Sequence, residues 1–395
     1  MSEAPQRIVV VGAGLAAQRC CAALRRLGHD GQITLFGDEG RLPYDRPPLS
    51  KEVLAGTDPE GSLELRPGRW YADHGIDVRA GVAATGLDPA AGHVLLADGA
   101  REPYDRLLIA TGARPRPLPR TEGYANVHVL RSAIDAARLR ARLRPGARLV
   151  IVGAGIVGLE VAATARGLGV DVTVLDAAPA PLLRIVGPQL AEWFAGLHRE
   201  EGVRLLLETG VAGFRAANDE VRAVRLDNGS EVECDAVLVG IGVAPATEWL
   251  AGTALAGRGI PIDAGGRSPV QDVYAAGDCA LAFNARTGRH EPSDHWEAAG
   301  RQGAAAAHAM VGLTPPPTGH ASFWSDQYGV RFQLLGDPRD ADEVRIDGAP
   351  EVRDFTALYV REDRVVAGLL AGRPRALPAL RDAIEQHTHP ERTPV

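Results

Sequence analysis

At its amino end the chain sets down a run of β-branched residues, Ile8-Val-Val-Val11. A glycine turn, an alanine-rich stretch with helical spacing and the run Ile33-Thr-Leu-Phe36 follow. This pattern predicts a strand over 7–11, a helix over 15–27 and a strand over 32–36, a βαβ unit. The same order returns as a strand over 149–152, a helix over 156–168 and a strand over 171–175. Each unit is followed by an alternating apolar–polar stretch, 76–110 and 203–239, which predicts a small antiparallel meander. Turn pairs Ala91-Gly92 and Asp98-Gly99 punctuate the first of these. Each meander ends in an apolar strand running into a glycine turn, Leu107–Ala110 into Thr111-Gly112 and Ala236–Gly240 into Gly242-Val-Ala-Pro245. The architecture is therefore duplicated.

Between the repeats the proline-rich segment Leu42–Ser50 excludes regular helix and central strand. It predicts a loop of fixed shape, then a short helix from about Ser50, which can serve as its N-cap. Arg114–Pro119 reads as a linker. Beyond Pro245, Asp272–Cys279 predicts a strand ending in a Gly-Asp turn, with an alanine-rich helix over 296–311. The linker Thr314–Pro317 opens a unit over 318–395 of short strands and a final helix near 376–387. The fold class is α/β, with two Rossmann-like dinucleotide-binding domains and a C-terminal α+β domain.

Composition narrows the function. The 395 residues allow two or three domains, and 45% hydrophobic with 24% charged residues is usual for a globular α/β chain. A net charge of −7 argues against nucleic-acid binding. The apolar runs fall short of the roughly 20 residues of a membrane helix. No signal peptide precedes the strand near Arg7, so the expectation is a soluble, cytoplasmic protein with no membrane partner. Cys20, Cys21, Cys234 and Cys279 form no C-x-x-C pair, and adjacent Cys20 and Cys21 point to different faces of the first helix. Lys51 is the one lysine among 43 basic residues.

The two glycine turns carry the chemistry. Gly12 permits the tight turn, Gly14 lets backbone approach a pyrophosphate, and Ala17 keeps helix and strand close. The helix that opens at Leu15 and Ala16 then offers its N–H groups to phosphate. Asp38, at the end of the second strand, stands where an acid can bond a ribose. In the second copy the same parts are Gly153, Gly155 and Gly158, with Ile156 and Val157 opening the helix. Asp176 takes the ribose position, where a carboxylate accepts both hydroxyls and repels a 2′-phosphate. No basic residue follows until Arg184, which favours NADH over NADPH.

The segments Leu42-Pro-Tyr-Asp-Arg-Pro-Pro-Leu-Ser-Lys51, Ala110-Thr-Gly112, Ala275-Ala-Gly-Asp278 and Phe323-Trp-Ser-Asp-Gln-Tyr328 add a resemblance. The chain resembles the glutathione-reductase-like flavoproteins with two dinucleotide-binding domains. More narrowly, it resembles the NADH:ferredoxin reductases serving aromatic-ring dioxygenases and bacterial cytochromes P450. The resemblance implies an FAD domain over 1–116 and 244–317, an NADH domain over 117–243 and a C-terminal domain over 318–395. It implies that Asp278 bonds the flavin's ribityl chain and that Thr111, Gly112 and Arg114 form the turn beside FAD. It places Arg46, Lys51 and Trp296 close to the flavin and pairs Lys51 with Glu160 as the catalytic couple. Val82, Ala110, Gly242 and Gly277 complete the implied cofactor contacts. The family's asparagine two residues after the tryptophan is Ala298 here.

A cation beside the flavin ring raises its reduction potential and favours the anionic reduced form, which gives Lys51 a physical role. Residues 40–60 contain no cysteine, so no thiol waits to receive electrons from the flavin. Electrons are then expected to leave singly, to a [2Fe–2S] ferredoxin bound transiently by charge. Ferredoxins are usually acidic, so the docking surface should carry arginine, with Arg301 and the C-terminal unit around Trp324 as candidates. The dense run Arg138, Arg140, Arg142, Arg144 and Arg148 reads instead as a solvated helix surface. Rival readings are a rubredoxin reductase, a redox sensor resembling apoptosis-inducing factor, and a flavoprotein oxidase or monooxygenase.

Overall fold

A computed structural model of the chain describes residues 5–58, 63–284, 287–293, 295–317 and 319–386. The chain divides into two compact units. One comprises Met1–Asp45, Ser62–Arg114 and Val243–Ala321; the other comprises Arg46–Gly61, Pro115–Gly242 and Ser322–Val395.

The first unit is built on a five-stranded parallel sheet, in the spatial order Val273–Ala275, Arg106–Ile109, Arg7–Val11, Gln32–Gly37, Ile76–Ala80. Its central strands are apolar on both faces because both faces are covered. One face packs on the Leu15–Arg26 and Trp296–Met310 helices, with Leu24, Leu35, Leu108 and Ala306 fully buried. The two helices cross closely, since a Cβ on Gly303 would lie 2.1 Å from the Ala16 carbonyl oxygen. Cys20 and Cys21 are both fully buried despite lying on different helical faces, because the helix is covered on two sides.

The second unit repeats the plan. Its parallel sheet has the order Arg204–Leu206, Asp171–Leu175, Arg148–Val152, Ala236–Val239, Val127–His128. The Ile156–Gly167 and Leu183–Glu200 helices add to its core through Leu159, Ala162, Leu190 and Phe194. The same unit contains a five-stranded antiparallel sheet, Ser322–Gln327, Val330–Gly336, Arg364–Ala371, Asp354–Arg361, Glu343–Ala349, with the Leu377–Gln386 helix packed on it.

Three sequence expectations need correction. Ile76–Ala80 and Arg204–Leu206 are not meander strands; each is the parallel edge strand of its Rossmann sheet. An edge strand buries part of its surface and so alternates as antiparallel strands do. The true meanders are Ala84–Asp88, His93–Leu96, Arg101–Pro103 and Val211–Ala217, Glu220–Leu226, Glu231–Glu233. Ser50 is not an N-cap. Pro47 and Pro48 preset helical φ, so a 3₁₀ turn already spans Pro47–Ser50 and Lys51 precedes the Glu52–Ala55 helix. The arginine run is not the surface of a single helix: the helix there is Ala133–Arg140, and Arg148 opens a strand. Arg142 pairs with Glu220, Arg148 with Asp235, and Arg140 donates to the carbonyls of Val53 and Leu54.

Candidate functional site

Each glycine turn is a cradle shaped by what cannot fit there. Gly12 has φ +113°, and a Cβ on it would sit 2.1 Å from the Ala110 carbonyl oxygen. Gly153 has φ +112°, with a Cβ 2.4 Å from the Gly240 carbonyl oxygen. Only glycine tolerates that backbone and that approach. Around Gly14 and Gly155 a Cβ would meet nothing within 4 Å, so open space lies where each helix begins. Both helices start without a side-chain cap and without an acid in the first turn. Their first N–H groups therefore face that space with the positive end of the dipole, the arrangement a pyrophosphate needs. Ala17 is fully buried, and a Cβ on Gly158 would lie 2.2 Å from the Gly153 carbonyl oxygen, so the third position keeps helix on strand in both copies. Leu15 and Ala16 are buried in the first helix, whereas Val157 is 43% exposed at the mouth of the second.

The first unit gathers further groups at the carboxyl ends of its strands. The Val82 amide donates to the Gly37 carbonyl, next to Asp38. Asp38 Oδ2 lies 3.8 Å from Arg114 Nη2, an exposed contact that screening leaves weak and exchangeable. Thr111 Oγ1 donates to the Ala246 carbonyl at 2.7 Å, and Gly112 turns with φ +67°. The Gly277 amide donates to Gln302 Oε1 at 2.8 Å, fixing the turn that presents Asp278. Trp296 Nε1 donates to Asp45 Oδ1 at 2.6 Å, with the Arg19 guanidinium 5.9 Å from its ring centroid. Burial pushes the neighbouring His295 imidazole down, against the pull of Asp278. Arg301 is tied to Glu297 and to the His320 carbonyl.

In the second unit Asp176 is anchored at both oxygens, by the Ala154 amide at 2.6 Å and the Ala178 amide at 2.7 Å. Two donors leave a carboxylate acceptor sites to spare for ribose hydroxyls. Gly242 takes φ +98° and its carbonyl accepts from the Arg116 amide. Arg46 donates to the Arg131 carbonyl. Trp324 is half-buried in the Ser322–Gln327 strand.

Lys51 and Glu160 meet in this unit. Lys51 Nζ donates to Glu160 Oε2 at 2.8 Å and to the Pro47 carbonyl at 3.0 Å. Glu160 is buried, at 5% side-chain exposure, and Lys51 is largely covered, at 11%. The loop is held on the Ile156–Gly167 helix by Thr164 Oγ1, which donates to the Ser50 carbonyl at 2.7 Å. Ser50 Oγ also donates to Glu160 Oε2, and Ser325 Oγ donates to Glu160 Oε1 at 2.8 Å. Beyond Ser325 stand Gln327, His198 and Tyr328, at hydrogen-bond distances of 2.9, 2.9 and 2.8 Å in succession. Sequence reasoning missed Asp45, Gln302, Ser50, Ser325, Gln327, His198 and Tyr328 as site residues. A signal existed for two of them, since Ser325 and Gln327 fall two apart on one strand face that is buried.

No cysteine offers a reactive thiolate. All four are buried, and burial pushes the Cys20 thiol well up and those of Cys21 and Cys234 to about 12. Cys279, next to Asp278, is raised likewise and rests against the carbonyls of Ile109 and Ala276. Among the described residues no helix is long and apolar enough to cross a membrane.

The chain is similar to known proteins. The pyridine nucleotide-disulphide oxidoreductase family model matches residues 6–303, and the reductase C-terminal model matches residues 322–395. The chain is 36% identical over 93% of its length to the ferredoxin–NAD(+) reductase component of a 3-phenylpropionate/cinnamic acid dioxygenase from Photorhabdus laumondii, covering 92% of that protein. It is 35% identical to putidaredoxin reductase from Pseudomonas putida, covering 94% of this chain and 90% of the relative. A crystal structure of putidaredoxin reductase in covalent complex with putidaredoxin matches with a TM-score of 0.92, at 34% identity, covering 98% of this chain and 94% of that one.

Proposed function

Because the chain belongs to the pyridine nucleotide-disulphide oxidoreductase family and carries the reductase C-terminal domain, we propose that it passes electrons from NADH through FAD to a [2Fe–2S] ferredoxin that supplies an oxygenase. The observation that carries this reading is the pair of uncapped helix starts at Gly14 and Gly155, each preceded by a turn glycine, Gly12 or Gly153, that no other residue type can replace. Bound FAD would supply the conversion of a two-electron donor's hydride into single electrons for an iron–sulfur acceptor. The residues of the first cradle suit a flavin dinucleotide. Gly12, Gly14, Leu15, Ala16 and Ala17 would receive its pyrophosphate. Asp38 would take the ribose, and Val82, Ala110, Thr111, Gly112, Arg114, Gly277, Asp278 and Trp296 the remainder.

The second cradle suits NADH. Gly153, Gly155, Ile156, Val157 and Gly158 would hold the pyrophosphate, Asp176 the ribose hydroxyls, and Gly242 the far wall. Lys51, held by Glu160, would stabilise the negative charge that hydride delivery brings, with Arg46 on the same loop. The functional division is FAD over 1–116 and 244–317, NADH over 117–243, and a C-terminal domain over 318–395. Two of the relatives named above serve a dioxygenase or bear the name of their ferredoxin, and the buried, protonated thiols supply no internal acceptor. Use of NADH puts the proposed activity in the cytoplasm.

The test is acceptor dependence. Purified yellow protein should reduce cytochrome c with NADH when a [2Fe–2S] ferredoxin is added and not otherwise. Rapid NADH oxidation with no protein acceptor would overturn the proposal, and faster reduction of a rubredoxin would redirect it.

A further inference from the structure

We infer that Ser325, Gln327, His198 and Tyr328 are positioning residues for Glu160, a one-way row of hydrogen bonds that fixes how its carboxylate faces and so holds Lys51. This rests on the proposed role of the Lys51–Glu160 pair.

The sense of the row follows from its end. A carboxylate paired with an ammonium only accepts. Ser325 Oγ, 2.8 Å from Glu160 Oε1, therefore donates to it. The single Ser325 hydroxyl proton is then used, so the contact at 2.9 Å to Gln327 must be an amide N–H donated to Ser325. That orients the Gln327 amide and turns its Oε1 toward His198 Nε2, 2.9 Å away. An acceptor there requires the proton on His198 Nε2. In the neutral imidazole Nδ1 is then an acceptor, and the Tyr328 hydroxyl at 2.8 Å donates to it. Reversing any one member sets two acceptors or two donors against each other.

Burial gives the row its force. His198 is 0%, Gln327 1%, Ser325 2% and Glu160 4% exposed, so no solvent can replace a lost partner. The far end is fixed by the backbone. Tyr328 and Gly329 form the two-residue hairpin between the Ser322–Gln327 and Val330–Gly336 strands. Tyr328 there has φ +52°, a conformation that a bulky residue seldom adopts. Its ring is covered by the Arg353 guanidinium at 5.8 Å, and Arg353 pairs with Glu201. An Asn-Gly turn would close this hairpin without strain. A tyrosine there places a donor on His198 Nδ1, which the turn alone does not require.

The experiment compares Ser325→Ala with Ser325→Thr in the FAD-loaded protein. S325A should slow reduction of bound flavin by NADH about tenfold, the loss of one hydrogen bond to a charged group. The KM for NADH should stay within about twofold, and S325T, which keeps the hydroxyl, should restore the rate. Nitrogen-15 NMR of the unmutated holoprotein should show His198 neutral with the proton on Nε2, a readout that stands even where a variant fails to fold. Wild-type rates in S325A, no recovery in S325T, or an Nδ1–H tautomer would each overturn the inference. Glu160→Gln separates the two levels. A slow E160Q beside a normal S325A removes only the row, whereas a normal E160Q removes the role of the pair itself.

Discussion

Lys51 Nζ stands 2.8 Å from Glu160 Oε2, although 109 residues separate them in the chain. The pair is largely buried, and two serine hydroxyls complete the carboxylate's coordination. Breaking a buried pair by removing one partner leaves the other charge uncompensated, typically at a cost of about 3 kcal/mol or more. Glu160→Gln should therefore lower the urea midpoint of the holoprotein by an amount equivalent to about 3 kcal/mol. An unchanged midpoint would mean that the Pro47 carbonyl alone suffices for the ammonium.

Lys51→Met tests the electrostatic role. Loss of a cation near the reduced flavin should shift the two-electron potential downward by roughly 30 mV or more, equal to a tenfold change in the equilibrium. Dye-coupled potentiometry reads this directly. A potential equal to that of the unmutated protein would confine Lys51 to a structural role.

The two cradles were legible in sequence because their signal is local. Gly12 and Gly153 stand directly after an apolar strand, and their φ values of +113° and +112° can be anticipated from a tight strand-to-helix turn. The row behind Glu160 was not legible. His198 lies on one helix and Ser325 on a distant strand, and only the packed second unit brings them together. The parallel pairing of Ile76–Ala80 is hidden for a related reason, since an edge strand and a meander strand leave the same alternation.

Gly12→Ala and Gly153→Ala should therefore fail in different ways. A Cβ at Gly12 collides with the Ala110 carbonyl and should yield protein that purifies with little or no flavin absorbance. A Cβ at Gly153 collides with the Gly240 carbonyl and should leave flavin bound while NADH no longer saturates. Loss of flavin from G153A with its retention in G12A would reverse the assignment of the two cradles.

Asp176 sets nucleotide choice by charge. Asp176→Asn keeps an acceptor for the Ala154 amide but removes the repulsion of a 2′-phosphate. The ratio of kcat/KM for NADPH over NADH should rise about tenfold or more, since a hydrogen bond to a charged group is lost for one ligand and a repulsion is lifted for the other. Steady-state kinetics with both nucleotides decides it, and an unmoved ratio would remove Asp176 from the ribose site.

His198 ties the buried row to acid stability. Burial pushes its imidazole down to about 4, against the opposing pull of the Gln327 amide and Glu201. In the unfolded chain the same group takes up a proton near its ordinary value of about 6.5. Between those limits the unfolded state binds more protons than the folded one, so stability falls as pH drops from about 6.5 to about 4. Above the window the group is neutral in both states, and below it the loss is complete, at up to about 3 kcal/mol. Burial lowers His29, His128 and His295 as well, and they add slope of the same sign. Asp105 and Asp235, held down mainly by hydrogen bonds from Arg7 and Arg148, contribute stability that is lost at still lower pH. The contribution of His198 is therefore isolated by difference. Urea midpoints of the unmutated protein and of His198→Phe, followed from about pH 7.5 to about pH 4, should converge as the pH falls, because only the former carries this buried imidazole. Parallel curves would show that His198 titrates alike in both states and that its neutral form is not enforced by the fold.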